Sequence, residues 1–203
     1  MLATAGGDPI GSGDLALAAR LLHKSRMCIC TFGYERMIFL ARDEASLLEK
    51  KLRHQISEQP GPKFVLYYES GRPDYSAAAN AIALSIGKFS AATVLFLFCV
   101  AGDGWDEYSA RDQRWRRYRR WRAENNEERR LYEAPGHRFE PHEVEQFSKT
   151  VEFALELGWD ALVTARPGRQ LLFLSHDDRL EIYRGFKSRL LARKLTGLGY
   201  WRQ

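Results

Sequence analysis

Thr93-Val94-Leu95-Phe96-Leu97-Phe98-Cys99-Val100 is apolar at every position but the first. A strand with one wet face alternates apolar and polar residues, whereas one covered on both faces reads as an unbroken apolar run. The segment therefore predicts the central strand of a sheet with material packed on either side. The chain before it supports that placement. Residues 27–32 and 37–41 are apolar-rich runs flanking Gly33-Tyr34-Glu35-Arg36, the pattern of a hairpin. Asp43 stands where it can cap a helix to Glu58, with Leu47, Leu48, Leu52 and Ile56 at helical spacing, and Pro60-Gly61-Pro62 stops it. Residues 63–69 read as a strand, Ser70-Gly71-Arg72-Pro73 as a turn, and Asp74 as the cap of an alanine-rich helix over residues 75–86. Strand, helix, strand, helix, strand across residues 36–100 predicts βαβ units with parallel pairing.

Beyond the apolar run the chain changes character. Gly102-Asp103-Gly104 breaks it, and Ala134-Pro135-Gly136 breaks it again. Between them, residues 111–130 carry nine arginines against four acids, with Trp115, Tyr118 and Trp121 set among them. Good helix formers without proline or glycine predict a long helix from Trp105 to Leu131. Pro141 opens a second helix to Leu157, with Val144, Phe147, Val151, Ala154 and Leu155 on one face and Gly158 just past its end. Residues 159–164, 170–175 and 180–183 then read as three strands of an antiparallel meander, and residues 186–195 as a last basic helix ended by Gly197. Upstream, Asp14 caps a short helix to Ser25, and the Gly-rich residues 1–13 are expected to be mobile.

The class expected from these elements is α+β: a single three-layer domain over residues 14–203. Its mixed sheet has a parallel βαβαβ core and a C-terminal antiparallel β-meander, with residues 105–157 inserted as a helical hairpin. At 203 residues and 45% hydrophobic content the chain suffices for one sizeable core. The apolar run of residues 91–101 is far short of the ~20 residues a membrane span needs, and no basic segment precedes an apolar core at the N-terminus. Cys28, Cys30 and Cys99 lack metal-ligand spacing and read as reduced core residues, so the expected compartment is cytoplasmic.

Charge is concentrated rather than spread. The chain has 31 basic and 26 acidic residues, a net of +5. Residues 184–203 hold six basic residues and no acid, and the Arg/Trp segment holds its nine arginines, so the remaining body is acidic. Residues 133–160 carry Glu133, Glu140, Glu143, Glu145, Glu152, Glu156 and Asp160 against Arg138 and Lys149. A basic helix followed by an acidic one predicts a charge-matched antiparallel pair.

Several clusters invite chemistry, and each has a plain structural alternative. Ser175-His176-Asp177-Asp178 contains the parts of a nucleophile pair or a metal site, but neighbours in a strand face opposite ways and paired aspartates are ordinary turn chemistry. Gly102-Asp103-Gly104 precedes a helix, as anion sites do, yet lacks a full phosphate-loop pattern and carries opposing acids. His137 and His142 flank Pro141 beside Glu140 and Glu143, but show no third partner. Glu35, Glu69 and Asp74 lie near strand ends, where capping and turns explain them equally well. No metal and no cofactor is expected from these patterns.

Residues 147–183, with the step Leu157-Gly158-Trp159-Asp160-Ala161 and the hairpin Leu172-Phe173-Leu174-Ser175-His176-Asp177-Asp178, resemble the C-terminal module of small bacterial α+β proteins of the toxin-immunity kind. The resemblance implies a non-catalytic cytoplasmic protein that blocks another protein by binding it, and carries over no functional residue. Trp, Tyr and Arg are the residues enriched at binding hot spots. The leading expectation is therefore a non-enzymatic protein-binding factor using Arg114, Trp115, Arg117, Tyr118, Trp121 and Arg122. The alternatives are RNA or DNA binding through the same helix and the basic tail, and an enzyme with a site near Glu69, Asp74 and Asp103.

Overall fold

The computed structural model describes residues 37–86, 91–97, 112–165, 169–185 and 187–202, all within the second of two units into which the chain divides, Glu35–Gln203. In chain order these are β1 (Ile38–Leu40), α1 (Arg42–Ser57), β2 (Phe64–Tyr67), α2 (Tyr75–Ser85), β3 (Ala92–Phe96) and α3 (Gln113–Glu124). There follow β4 (Gly136–Phe139), α4 (Val144–Leu157), β5 (Ala161–Ala165), β6 (Gln170–Ser175), β7 (Arg179–Arg184) and α5 (Ser188–Thr196). The N-terminal helix, the first strand of the early hairpin, all three cysteines, Glu35, Gly102-Asp103-Gly104 and the start of the Arg/Trp segment lie outside the described residues.

The fold is mixed α/β, with seven strands in the order β1-β4-β3-β5-β6-β7-β2. Every neighbouring pair is antiparallel, so the expected parallel βαβαβ core is absent from the sheet. The reason lies in adjacency. Alternation along the sheet makes β1, β2 and β3 point the same way, as helical crossovers require. However, β4 lies between β1 and β3, and β5, β6 and β7 lie between β3 and β2. Strands that arrive later in the chain fill the gaps left by the first three.

β1 and β2 consequently form opposite edges, and α1 must carry the chain across the whole sheet. Six strand spacings span about 29 Å. The 16 residues of α1 reach about 24 Å at 1.5 Å per residue, and short turns complete the distance. In crossing, α1 buries Ala45 and Leu52 against Leu95, Leu97, Leu162, Leu171 and Tyr183. The other four helices cover the opposite face, where Val94, Phe96, Val163, Leu172, Leu180 and Ile182 point. β3 is the third of the seven strands, and its apolar run is explained as expected: successive residues enter alternate cores.

Local sequence accounts for most element ends. Asp74 caps α2 by accepting from the Ala77 amide at 2.9 Å, and Asp112 caps α3 by accepting from the Arg114 amide at 2.8 Å. Gly158 closes α4 in the left-handed region, φ 62°. Two expected starts differ. Ala41, not Asp43, precedes α1, which places Asp43 in its first turn. Pro141 lies in a turn and α4 begins at Val144, because Glu143 folds back to accept from the amides of Met37 and Glu140. The meander β5–β6–β7 is as expected. The α3–α4 pair is not joined by a short turn, since β4 is threaded between them and pairs with both β1 and β3.

Candidate functional site

α3 runs from Gln113 to Glu124 and so ends seven residues before Leu131, where the sequence pattern places its end. Its residues divide by turn of helix. Trp115, Tyr118 and Arg122 are buried, Trp121 is half-buried, and Arg114, Arg116, Arg117, Arg119 and Arg120 are exposed. Aromatic residues three and four apart fall on one stripe, and burial of that stripe holds the helix on the sheet.

The stripe enters an aromatic cluster. Tyr118 lies edge-on to Phe96, Phe153 and Trp159, with ring centres 5.2–5.8 Å apart. Trp115 meets Trp159 at 5.3 Å, and Trp121 stacks on both Tyr118 and His137 at 5.9 Å. At the centre the Tyr118 hydroxyl and His137 Nε2 are 2.8 Å apart. His137 is completely buried, and burial first, then the Arg122 guanidinium, pushes its pKa well below the ordinary value. It is therefore a neutral core imidazole.

Three of the six residues expected to contact a partner are thus inside the molecule: Trp115, Tyr118 and Arg122. The physical reason is that a large aromatic at helical spacing is worth more in a core than in water, and α4 and the sheet supply that core. Arg114 and Arg117 are exposed but turned toward α4. Arg117 pairs with Glu156 at 2.9 Å and Glu152 at 3.6 Å, and Arg114 donates to the Glu156 carbonyl at 2.9 Å. The expected charge matching is real but narrow, because only Glu152 and Glu156 of the seven acids form ion pairs with α3 among the described residues. Both partners of these pairs meet water. Arg117→Ala is accordingly expected to cost less than about 1 kcal/mol in urea unfolding.

The other sequence clusters are placed as follows. His137 and His142 are not brought together: one is core, the other is exposed. Among the described residues no group of three or more His, Cys, Asp or Glu side chains could hold a metal ion. Ser175-His176-Asp177-Asp178 forms the β6–β7 turn, with Asp178 at φ 54°. His176 bonds Asp160 through Nδ1 at 3.0 Å and lies 3.3 Å from Asp177 through Nε2, so its ring is directed at carboxylates rather than at Ser175. The bond to Asp160 holds the His176 pKa up. Glu69 pairs with Arg72 at 2.8 Å across a turn, and Asp74 is a cap. Asp103 lies outside the described residues.

The basic tail is remote from α3. α5 packs on α2 and β2, Trp201 bridges to Tyr67 of β2, and the Arg202 guanidinium lies 4.4 Å from the centre of the Phe64 ring. Those contacts belong to the β2 edge. α3 instead touches Phe39 of β1, His137 of β4 and Phe96 of β3, toward the other edge.

Beyond α3 the chain folds back over the helix end and borders a half-open pocket of about 250 Å³. Arg119, Arg122, Arg129 and Arg130 line it with Glu127 and Glu128, and Trp115 and Leu131 contribute apolar wall. Arg122 ties the loop down, donating from Nη2 to the Arg129 carbonyl at 3.0 Å. Burial pushes the Glu127 carboxyl up, but bonds from Arg129 more than offset this and hold it below the ordinary range. No sequence signal names this cavity beyond the pair Arg129-Arg130, which follows the helix in the chain.

No family model matches the chain, and no curated protein or solved structure matches it either.

Proposed function

We propose that this protein is a non-enzymatic binding factor that engages an acidic surface of another protein through the outer guanidinium groups of α3, as an immunity or antagonist protein does. The observation that carries this reading is the division of α3. Its aromatic stripe is buried and fixes the helix, while Arg116, Arg119 and Arg120 face solvent, and Arg119 and Arg120 form no ion pair among the described residues. Arginines held on a packed helix lose little freedom on binding, and their planar forks suit carboxylates. Arginine is also among the residues enriched at interface hot spots.

The nucleic-acid reading retains guanidinium groups for phosphates but loses two supports. Trp115 and Tyr118 have no face left for a base to stack on. The basic tail packs at the β2 edge, so α3 and tail do not form one continuous basic track.

The test is capture of partners from the native host with the intact chain and with Arg116→Ser/Arg120→Ser, whose fold is checked by circular dichroism. The expected result is a partner lost from the folded double variant and released by added salt. Retention of every partner by that variant overturns the reading. Binding of mixed-sequence RNA with a steep salt dependence would favour the alternative.

A further inference from the structure

We infer that the basic face formed by α5 and the start of β2 docks on the surface of a membrane rich in anionic lipids. The inference goes beyond the protein-partner reading, because α3 lies toward the other edge of the sheet and supplies none of the groups involved.

The face follows from how α5 packs. Leu191, Ala192 and Leu195 are buried, and this stripe fixes the helix on the body. Arg189, Leu190, Arg193 and Lys194 consequently occupy its outward arc, and all four are exposed. Lys187, which precedes the helix, and Lys63, which precedes β2, line one shallow depression with Arg189 and Leu190. Phe64 lies in the same depression, and the Arg202 guanidinium covers its ring at 4.4 Å.

Lys63, Lys187, Arg189, Arg193, Lys194 and Arg202 therefore gather on this side of the molecule. Each is exposed, and none is in an ion pair among the described residues. No acid is among the residues that line the depression, and none stands in the first turn of α5. Residues 184–203 hold no acid at all, whereas outside the two basic segments the chain is acidic. That separation of charge turns the α5 face toward a negative surface. Clusters of about four to eight Lys and Arg on an amphipathic helix suit anionic headgroups, and each cation near such a surface raises binding about fivefold.

Apolar groups decide between a lipid surface and other polyanions. Leu190 is 38% exposed among the cations, and Trp201 is 45% exposed at the same sheet edge, where it bridges to Tyr67. An exposed leucine gains by entering the boundary between headgroups and acyl chains, and tryptophan is enriched at that depth. Leucine gains nothing comparable beside the phosphates of a nucleic acid, and Arg202 covers the Phe64 ring on which a base would stack. Among the described residues no helix is long and apolar enough to cross a membrane, so the contact is with its surface.

The test sediments the full-length protein with vesicles of phosphatidylcholine, and with vesicles in which about one third of the lipid is phosphatidylserine. Binding is expected to the mixed vesicles only, and to fall with added salt. Arg189→Gln/Arg193→Gln keeps good helix formers at exposed positions and is expected to weaken that binding roughly ten- to thirtyfold. Lys50→Gln/Lys51→Gln removes the same charge from α1, on the opposite face of the sheet, and is expected to bind as the parent does. Leu190→Ser is expected to weaken vesicle binding about three- to tenfold and to leave binding of a mixed-sequence RNA unchanged. Equal sedimentation with the two kinds of vesicle, or equal losses in the two double variants, overturns the proposal. Tighter binding of the RNA, weakened by Arg189→Gln/Arg193→Gln but not by Leu190→Ser, assigns the face to nucleic acid and overturns it too.

Discussion

Trp115→Ala is expected to lower the free energy of unfolding by about 3–5 kcal/mol, the range for removing a large aromatic from a core. The side chain is 1% exposed and packs against Trp159 and Tyr118, which themselves join Phe96, Phe153 and His137. Phe96 is held by β3 and Phe153 by α4, so these rings cannot readily move into the space left by the indole. Whole domains are stable by about 5–15 kcal/mol, so the variant falls near the threshold of folding at ordinary temperature. Urea unfolding of the variant beside Arg120→Ser makes the comparison, with that exposed change expected to stay within about 0.5 kcal/mol of the parent. A Trp115→Ala loss under about 1 kcal/mol contradicts the core assignment. The consequence for function is direct: loss of binding in Trp115→Ala reports loss of fold, and only the outer arginines probe a surface.

This division within α3 marks the limit of what sequence carried. The apolar stripe of Trp115, Tyr118 and Trp121 was legible from spacing alone, but spacing does not say whether a stripe docks on its own body or on a partner. The decision depends on what lies opposite, and Phe96, Phe153 and Trp159 come from three other elements. Likewise Asp74 and Gly158 act within a few residues of themselves, which is why that cap and the helix end after Leu157 could be read locally, whereas the Asp112 cap was hidden inside a stretch that reads as one continuous helix from Trp105. Strand pairing could not. Helical crossovers correctly imply that β1, β2 and β3 share a direction, yet nothing within residues 36–100 reveals that β4 and the meander will slot between them. The cavity was illegible for a related reason. Its wall joins one helix face to a loop that folds back on it, and an unsatisfied Nη1 on Arg122 is a property of packing, not of composition.

Acid is expected to destabilise the protein through His137, beginning near pH 6.5, the ordinary value for the group. Its pKa is depressed in the folded state, by burial first and by Arg122 second. Above that pH both folded and unfolded chains carry a neutral ring, and the stability is fully present. Below it the unfolded chain takes up a proton that the native core refuses, so stability falls with pH at up to about 1.4 kcal/mol per unit. His176 acts in the opposite sense. The Asp160 bond raises its pKa, so its contribution is greatest in acid and is lost as pH rises, and its half-exposed position keeps that contribution small. Asp112 and Glu127, both held low by bonds from Arg114 and Arg129, lose their contributions only in stronger acid. His176 therefore changes stability only above about pH 6.5 and is constant below it, where the decline belongs to the buried His137. Urea midpoints for the parent, His137→Gln and His176→Gln at pH 7.5, 6.5, 5.5 and 4.5 separate them. His137→Gln is expected to start less stable, since the Tyr118 hydroxyl loses its fitted partner, and then to decline less across the series. His176→Gln is expected to miss the parent's gain between pH 7.5 and 6.5 and to decline in parallel with it below that. Parallel declines in the parent and His137→Gln would show that the core imidazole does not set the acid limit.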